Sequence, residues 1–348
     1  MGSKSMPEGA KILPPPDPAP IFEAAQSYQR SFLVKAGVDL DLFTEIAKGN
    51  DTAPEIAKAC KGSERGVRIL CDSLTVLGLL EKKGGRYFLM PDTAFFLDTR
   101  SPAYLGKAFE FLLHPTHLEN VRRLAQVVRA GQSAAPHDSL APEDPIWIDF
   151  ARGMAPLTVP AAQAITQLLQ PLLAGTPSPR VLDIAAGHGI FGITVAQQLP
   201  SVQIYAVDWA NVLEVARENA RDRGVTARHH LIPGSAFDVD FGSGYEAALV
   251  TNFLHHFATP TNVTLLKKVG AALKRGGHVV ILEFVPNDDR VSPRIPALFS
   301  ATMLSNTPQG DAYTYMELSE MCRRAGFEEV RLVQLAPMPQ SLVVARKP

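Results

Sequence analysis

Cysteine is scarce in this chain of 348 residues: there are three, at positions 60, 71 and 322, an odd and scattered set. Such a set supports neither a disulfide framework nor metal-ligand spacing, and it fits a reducing, cytoplasmic compartment. Neither sign of charge is in excess. The 34 Lys and Arg against 35 Asp and Glu leave a net charge of −1, so no long-range field favours nucleic acid or an acidic membrane surface. No apolar run reaches the ~18 residues that a spanning helix needs, and no secretory signal is expected ahead of the fold. What is present, 46% hydrophobic and 20% charged residues, suits a globular protein of about two domains.

The most informative segment is 180–208, RVLDIAAGHGIFGITVAQQLPSVQIYAVD. It reads as a buried strand over 181–184, a turn at Gly187 and Gly189, a helix ending near Leu199, and a strand over 203–207 that stops at Asp208. This is a nucleotide-binding β-α-β unit, with backbone able to approach a ligand at the glycines and an acid placed to accept both hydroxyls of a ribose. Gly187, Gly189 and Gly192 also spell the dinucleotide pattern, a weak signal when it stands alone. Asp183, four residues before the turn, argues against a pyrophosphate and for a cationic ligand with an amino group. Asp208 follows Gly192 by only sixteen residues, short for a nicotinamide site. S-adenosylmethionine has a ribose, a sulfonium and an α-amino group but no phosphate, and it satisfies both points. Trp209, directly after the acid, is a further candidate contact.

Residues 1–20, with Pro14-Pro15-Pro16, read as a flexible lead-in, and 21–130 as a mostly helical domain. Within it Thr52 caps a helix that carries Pro54 in its first turn, and a second helix covers 63–77. A hairpin then turns at Gly84-Gly85, completing a winged helix. Glu64 and Asp72 offset Arg65 and Arg68 on the second helix, a poor match to a phosphate backbone. Dimerisation is therefore expected rather than nucleic-acid binding. The segment 131–145, rich in Ala, Pro and Ser, reads as a hinge. In 146–348 helices and strands alternate, with helices over 212–223, 261–274 and 316–325. Strands are expected over 229–232 and 247–252, over 278–283 after a turn at Gly276-Gly277, and over 329–335 and 341–346. The expected fold is α/β: a Rossmann-like parallel sheet closed by an antiparallel hairpin, as in class I methyltransferases, behind a winged-helix N-terminal domain.

Ligands of open α/β sheets bind beyond the carboxyl ends of the strands. Those ends supply Asp183, Asp208, Ser235 shortly after the third, Asn252 with His255 just beyond, and Glu283. A neutral imidazole at His255 suits removal of a hydroxyl proton as the oxygen attacks, and Glu283 on the adjacent strand suits holding its other ring nitrogen. His256, as the neighbour of His255, is expected to diverge from it and to shape the pocket. No dense set of carboxylates or spaced histidines indicates a metal. Phe150, Met154, Phe109, Phe111, His114, Phe299 and Met303 are candidate walls of an acceptor pocket. Their apolar and aromatic character suits a small hydroxylated aromatic molecule.

With these residues placed, the chain from Ile21 to Lys347 resembles the S-adenosylmethionine-dependent O-methyltransferases of the plant caffeic acid and acetylserotonin type, together with their bacterial relatives. The resemblance implies that 181–189 holds the methionine part of the cofactor, Asp208 the ribose, and Gly234-Ser235-Ala236-Phe237 the adenine. It implies that His255, in Phe253-Leu254-His255-His256-Phe257, is the general base and Glu283 its orienting partner. It also implies a homodimer formed through the winged-helix domain. Three positions depart from the family pattern. Its acid in the adenine-contacting segment is Ser235 here, its lysine four residues before the base is Thr251, and its second flanking glutamate is Ala312, with Asp311 as a candidate substitute. The expected activity is methylation of a small hydroxylated acceptor. The alternatives are a cofactor-binding scaffold turned to a non-methylating reaction, a winged-helix regulator sensing a small molecule, and a nicotinamide oxidoreductase.

Overall fold

The computed structural model describes residues 16–133, 144 and 146–348. Most of the expected lead-in and most of the expected hinge lie outside the described residues. The chain divides into two compact units, with the division after Gly106.

In the first unit, helix α1 (Ala19–Asp39) precedes α2 (Leu42–Ala47), α3 (Ala53–Ala59), α4 (Glu64–Val76), strands β1 (Leu80–Lys83) and β2 (Arg86–Leu89), and α5 (Pro91–Leu97). Glu55 accepts the Thr52 N–H at 3.1 Å at the start of α3, and the Ser63 hydroxyl accepts from the Gly66 N–H at the start of α4. Val67, Leu70, Cys71 and Leu74 recur at helical spacing on α4 and are its buried face. Gly84 and Gly85, at φ +56° and +80°, make the hairpin turn. The winged helix is thus where the local signals place it.

The second unit opens with α6 (Ala108–Leu112), α7 (Pro115–Arg122), α8 (Leu124–Ala130) and the long α9 (Ile146–Leu173). The first three correct the expected boundary near residue 130, because they pack within this unit, on α9 and on a later helix. The reason is steric: Gly153 lets α9 approach the chain so closely that a Cβ there would lie 2.7 Å from the Lys107 carbonyl. There follow β3 (Arg180–Ile184), α10 (Ile190–Gln198), β4 (Gln203–Asp208), α11 (Ala210–Asp222), β5 (His229–Pro233), β6 (Tyr245–Thr251), α12 (Thr259–Ala272) and β7 (Leu273–Glu283). The chain ends with α13 (Arg294–Asn306), α14 (Tyr315–Arg324), β8 (Glu328–Gln334) and β9 (Ser341–Arg346). The sequence did not announce α13. Strand β7 also begins earlier than the Gly276-Gly277 turn predicted, because Leu273 already pairs with Tyr245 before the register shifts.

The seven strands are ordered β5-β4-β3-β6-β7-β9-β8. The first five are parallel, and β9 runs antiparallel between β7 and β8. Alternation along β3 sets the two cores: Leu182 and Ile184 join the layer with Leu266, Leu318 and Phe327, whereas Val181 joins the layer with Ile165, Leu169 and Ile193. Asp183 shares the parity of Val181 and so faces α10. Strand order reverses between β3 and β6, the place where such sheets open a crevice. Among the described residues no helix is long and apolar enough to cross a membrane.

Candidate active site

The turn after β3 is built for close approach. Ala185, Gly187 and Gly189 take φ of +52°, +57° and +73°, conformations that only glycine adopts without strain. Asp183 is fully buried, and its Oδ2 accepts the Gly192 N–H at 3.1 Å. Gly192 has no other option, since a Cβ there would lie 2.8 Å from that oxygen and 2.6 Å from Ile204. The third glycine of the pattern therefore serves helix packing. The other oxygen, Asp183 Oδ1, is buried with no hydrogen-bond partner among the described residues. Burial raises this carboxyl to about 7, against the pull of the Gly192 N–H. Asp208, half-buried at the end of β4, accepts from the Gly187 N–H at 2.8 Å and the Trp209 N–H at 2.7 Å. Burial lifts it to about 6 despite those two donors. A buried acceptor without a donor and a second acid one strand away fit a ligand that brings a cationic amino group and hydroxyls. The residues present therefore fit the cofactor that the sequence implies.

One residue of this turn carried no functional signal in the sequence beyond lying between two glycines. His188 is buried, its Nδ1 accepts from the Ile190 N–H at 3.0 Å, and burial lowers its pKa to about 3. It is a neutral ring stacked toward Phe150, with centroids 6.5 Å apart.

Beyond β6 the chain does not stay extended. Asn252 adopts φ +53° and its amide oxygen accepts from Gln340 of the β8–β9 loop. Residues Leu254–His256 then form a 3-10 turn. His255 is buried, and its Nδ1 lies 2.6 Å from Glu283 Oε2. Glu283 Oε1 accepts the Phe253 N–H at 3.0 Å and the His255 N–H at 3.3 Å. One carboxylate thus holds both the ring and the backbone of the turn. An ionised carboxylate only accepts, so Nδ1 carries the hydrogen and Nε2 keeps its lone pair, the form of a general base. The expected divergence of His255 and His256 is corrected: their ring centroids are 4.3 Å apart, because a 3-10 turn does not alternate side chains as a strand does. Burial holds His256 well below its ordinary pKa, and its Nδ1 is buried without a partner among the described residues.

Groups distant in sequence clamp this turn. Asn262 Nδ2 donates to the carbonyls of Leu254 and Phe257 at 2.9 and 3.1 Å, the Tyr313 hydroxyl donates to Phe257, and the Asp311 N–H donates to the His255 carbonyl at 3.0 Å. Gly310 lies so near that a Cβ there would overlap the His255 carbonyl. None of these contacts was legible beforehand. The Asp311 carboxylate, the candidate substitute, pairs with Arg290 at 3.2 Å, with both side chains more than a third exposed. Ala312 is fully buried.

The remaining expected residues divide. Phe299 stands edge-on to His255, with centroids 4.9 Å apart, and Met303 is buried one turn further along α13. Phe150 meets Phe111, Trp147 and His188, and Trp147 reaches His256, so one aromatic wall links the glycine turn to the histidine turn. Met154, half-buried, follows Phe150 by one turn of α9. Ser235 accepts the Phe237 N–H at 3.1 Å, Ala236 is buried, and Phe237 packs on Phe257, which brings 234–237 to the same rim. Lys268 donates to the Ala236 and Phe237 carbonyls and fixes that segment from α12.

Comparison with known proteins adds a family. The O-methyltransferase domain is matched over residues 144–328, and the O-methyltransferase dimerisation domain over residues 22–99. A curated relative, the 3-hydroxy-5-methyl-1-naphthoate 3-O-methyltransferase of Streptomyces sahachiroi, is 29% identical over 94% of each chain. The crystal structure of a candidate O-methyltransferase from Nostoc punctiforme is 45% identical, covers 95% of this chain and 99% of its own, and superposes with a TM-score of 0.90. Human N-acetylserotonin methyltransferase, solved with its methyl donor, shares the fold at a TM-score of 0.83 with 18% identity, covering 97% of this chain and 99% of its own.

Proposed function

Since this chain belongs to the O-methyltransferase family and carries both its catalytic and its dimerisation domain, we propose that it transfers a methyl group from S-adenosylmethionine to a hydroxyl of a small aromatic molecule, with His255 as base. The observation that carries this reading is the His255 Nδ1–Glu283 contact at 2.6 Å on a turn held from four sides. Glu283 keeps Nε2 free to take the hydroxyl proton as the new oxygen–carbon bond forms. Asp183 Oδ1 would accept from the cofactor's amino group, and the second lone pairs of the Asp208 oxygens from its ribose hydroxyls. Gly187 and Gly189 leave room for the cofactor, and 234–237 would line the adenine. When bound, the cofactor supplies a methyl group already activated by its sulfonium, so this chain's task is mainly placement and proton removal. Phe150, His256, Phe299 and Met303 would hold the ring of the acceptor.

The first unit supports a homodimer. Helix α1 exposes Ile21 at 73%, Phe22 at 61% and Tyr28 at 60%, with Phe32 following. An apolar face of that size suits burial against a second copy.

The test is transfer of labelled methyl from S-adenosylmethionine to a panel of phenols, naphthols, hydroxyquinones and hydroxyindoles, with wild type beside His255→Ala. We expect turnover in the variant to fall ~10²–10⁴-fold while affinity for S-adenosylhomocysteine is kept. Equal turnover by the two proteins would sink the assignment of the base.

A further inference from the structure

Helix α13 carries Phe299, Met303 and Asn306 at i, i+4 and i+7, which is one helical face. Phe299 meets the His255 ring, and Asn306 lies two turns further on, ~10 Å along the axis at the usual rise. Its amide orientation is fixed. The Nδ2 donates to the Thr302 carbonyl at 2.9 Å and to the Ser305 hydroxyl at 3.0 Å, so Oδ1 faces α7. There it accepts from Asn120 Nδ2 at 3.0 Å and meets His117 Nδ1 at 2.8 Å. An amide oxygen only accepts, so His117 Nδ1 carries the hydrogen. Burial lowers the pKa of His117, and the neutral ring therefore has a lone pair on Nε2. That atom is buried, and no group among the described residues donates to it.

His117 is also part of the aromatic wall. Its ring meets Phe111 at 4.8 Å, and Phe111 meets Phe150 at 5.0 Å. The imidazole thus stands at one end of a surface whose other end is the histidine turn. A buried acceptor without a donor is costly.

We infer that His117 Nε2 receives a hydrogen bond from a second hydroxyl or N–H of the methyl acceptor, on the side remote from the oxygen that is methylated. The separation along α13 suits an acceptor of two or three fused rings rather than a single phenol. This inference rests on the methyltransferase reading above, which places an aromatic acceptor against Phe299 and Phe150.

The experiment compares a monohydroxynaphthalene with dihydroxynaphthalenes whose second hydroxyl is on the far ring, using wild type and His117→Phe. Binding is measured by calorimetry in the presence of S-adenosylhomocysteine, and labelled methyl transfer is measured separately. Wild type should prefer the diol about tenfold, the value of one neutral hydrogen bond. In His117→Phe the preference should fall to about one, with affinity for the monohydroxy compound kept. An undiminished preference in the variant, or none in the wild type, overturns the inference. If His117→Phe does not fold, NMR of wild type carrying nitrogen-labelled histidine replaces it. The unprotonated Nε2 resonance should move on adding the diol and not the monohydroxy compound; an unmoved resonance overturns the inference. Diol-selective binding without methyl transfer keeps the His117 contact and removes the methylation reading, and transfer without selectivity does the reverse.

Discussion

Replacing Asp183 by Asn should make the ligand-free protein more stable above neutral pH while abolishing its affinity for the cofactor. Burial raises the Asp183 carboxyl from 3.8 to about 7, opposed by the Gly192 N–H and assisted by Asp208. A carboxyl raised in the folded state stabilises the fold as the neutral acid. That stabilisation is complete below about pH 4 and is lost as pH rises through about 7. The gap between the two values corresponds to ~4 kcal/mol at most. Asparagine retains an oxygen for the Gly192 N–H but places an amide NH₂ where Oδ1 now lacks a partner, at a cost of ~1–3 kcal/mol. The balance at about pH 8 favours the variant by ~1–3 kcal/mol, and at about pH 5, where Asp183 is protonated, it disappears. Thermal unfolding across this range, at fixed protein concentration, should show the variant melting a few degrees above wild type at the alkaline end only. Adding S-adenosylhomocysteine, which retains the amino group, should raise the midpoint of wild type and not of the variant. A difference that ignores pH, or equal stabilisation of both proteins by the ligand, would refute the argument that Oδ1 awaits a cation.

Two further substitutions probe the histidine turn. In Glu283→Gln the amide oxygen can still hold the Phe253 and His255 N–H groups, but its NH₂ faces His255 Nδ1 and moves the ring hydrogen to Nε2. Methyl-transfer turnover should fall by ~10²-fold or more, as when a triad carboxylate becomes an amide, with S-adenosylhomocysteine affinity unchanged by calorimetry. In Gly310→Ala the new methyl group must displace the His255 carbonyl. The expected result is a destabilisation of ~1–3 kcal/mol in chemical unfolding and a loss of turnover larger than any change in KM.

The legible part of the site was the part set by strand ends. Asp183, Asp208 and Glu283 each close or nearly close a strand whose apolar run is evident, and parity along the strand then sets which layer each faces. The winged helix was equally readable, because the Thr52 cap, Pro54 in the first turn and Gly84-Gly85 are local signals. His188 was missed because a histidine between glycines has no periodicity to interpret. Helices α6 to α8 were assigned to the wrong unit because a helix states that it has an apolar face, not which partner will cover it.

The sequence by itself determined the β-α-β unit, the acids on one rim, the imidazole beyond β6 and the alternation that makes a parallel sheet, since each follows from residues within a strand or helix of one another. Tertiary structure alone decided that His255 and His256 lie side by side, that Asp311 gives the turn its N–H while its carboxylate pairs with Arg290, and that Asn262 and Tyr313 close around Phe257 from 5 and 56 residues away. It likewise left Asp183 Oδ1 and His117 Nε2 buried without donors among the described residues. Such facts depend on which surfaces meet when the chain closes on itself, and no local pattern encodes the far side of a contact.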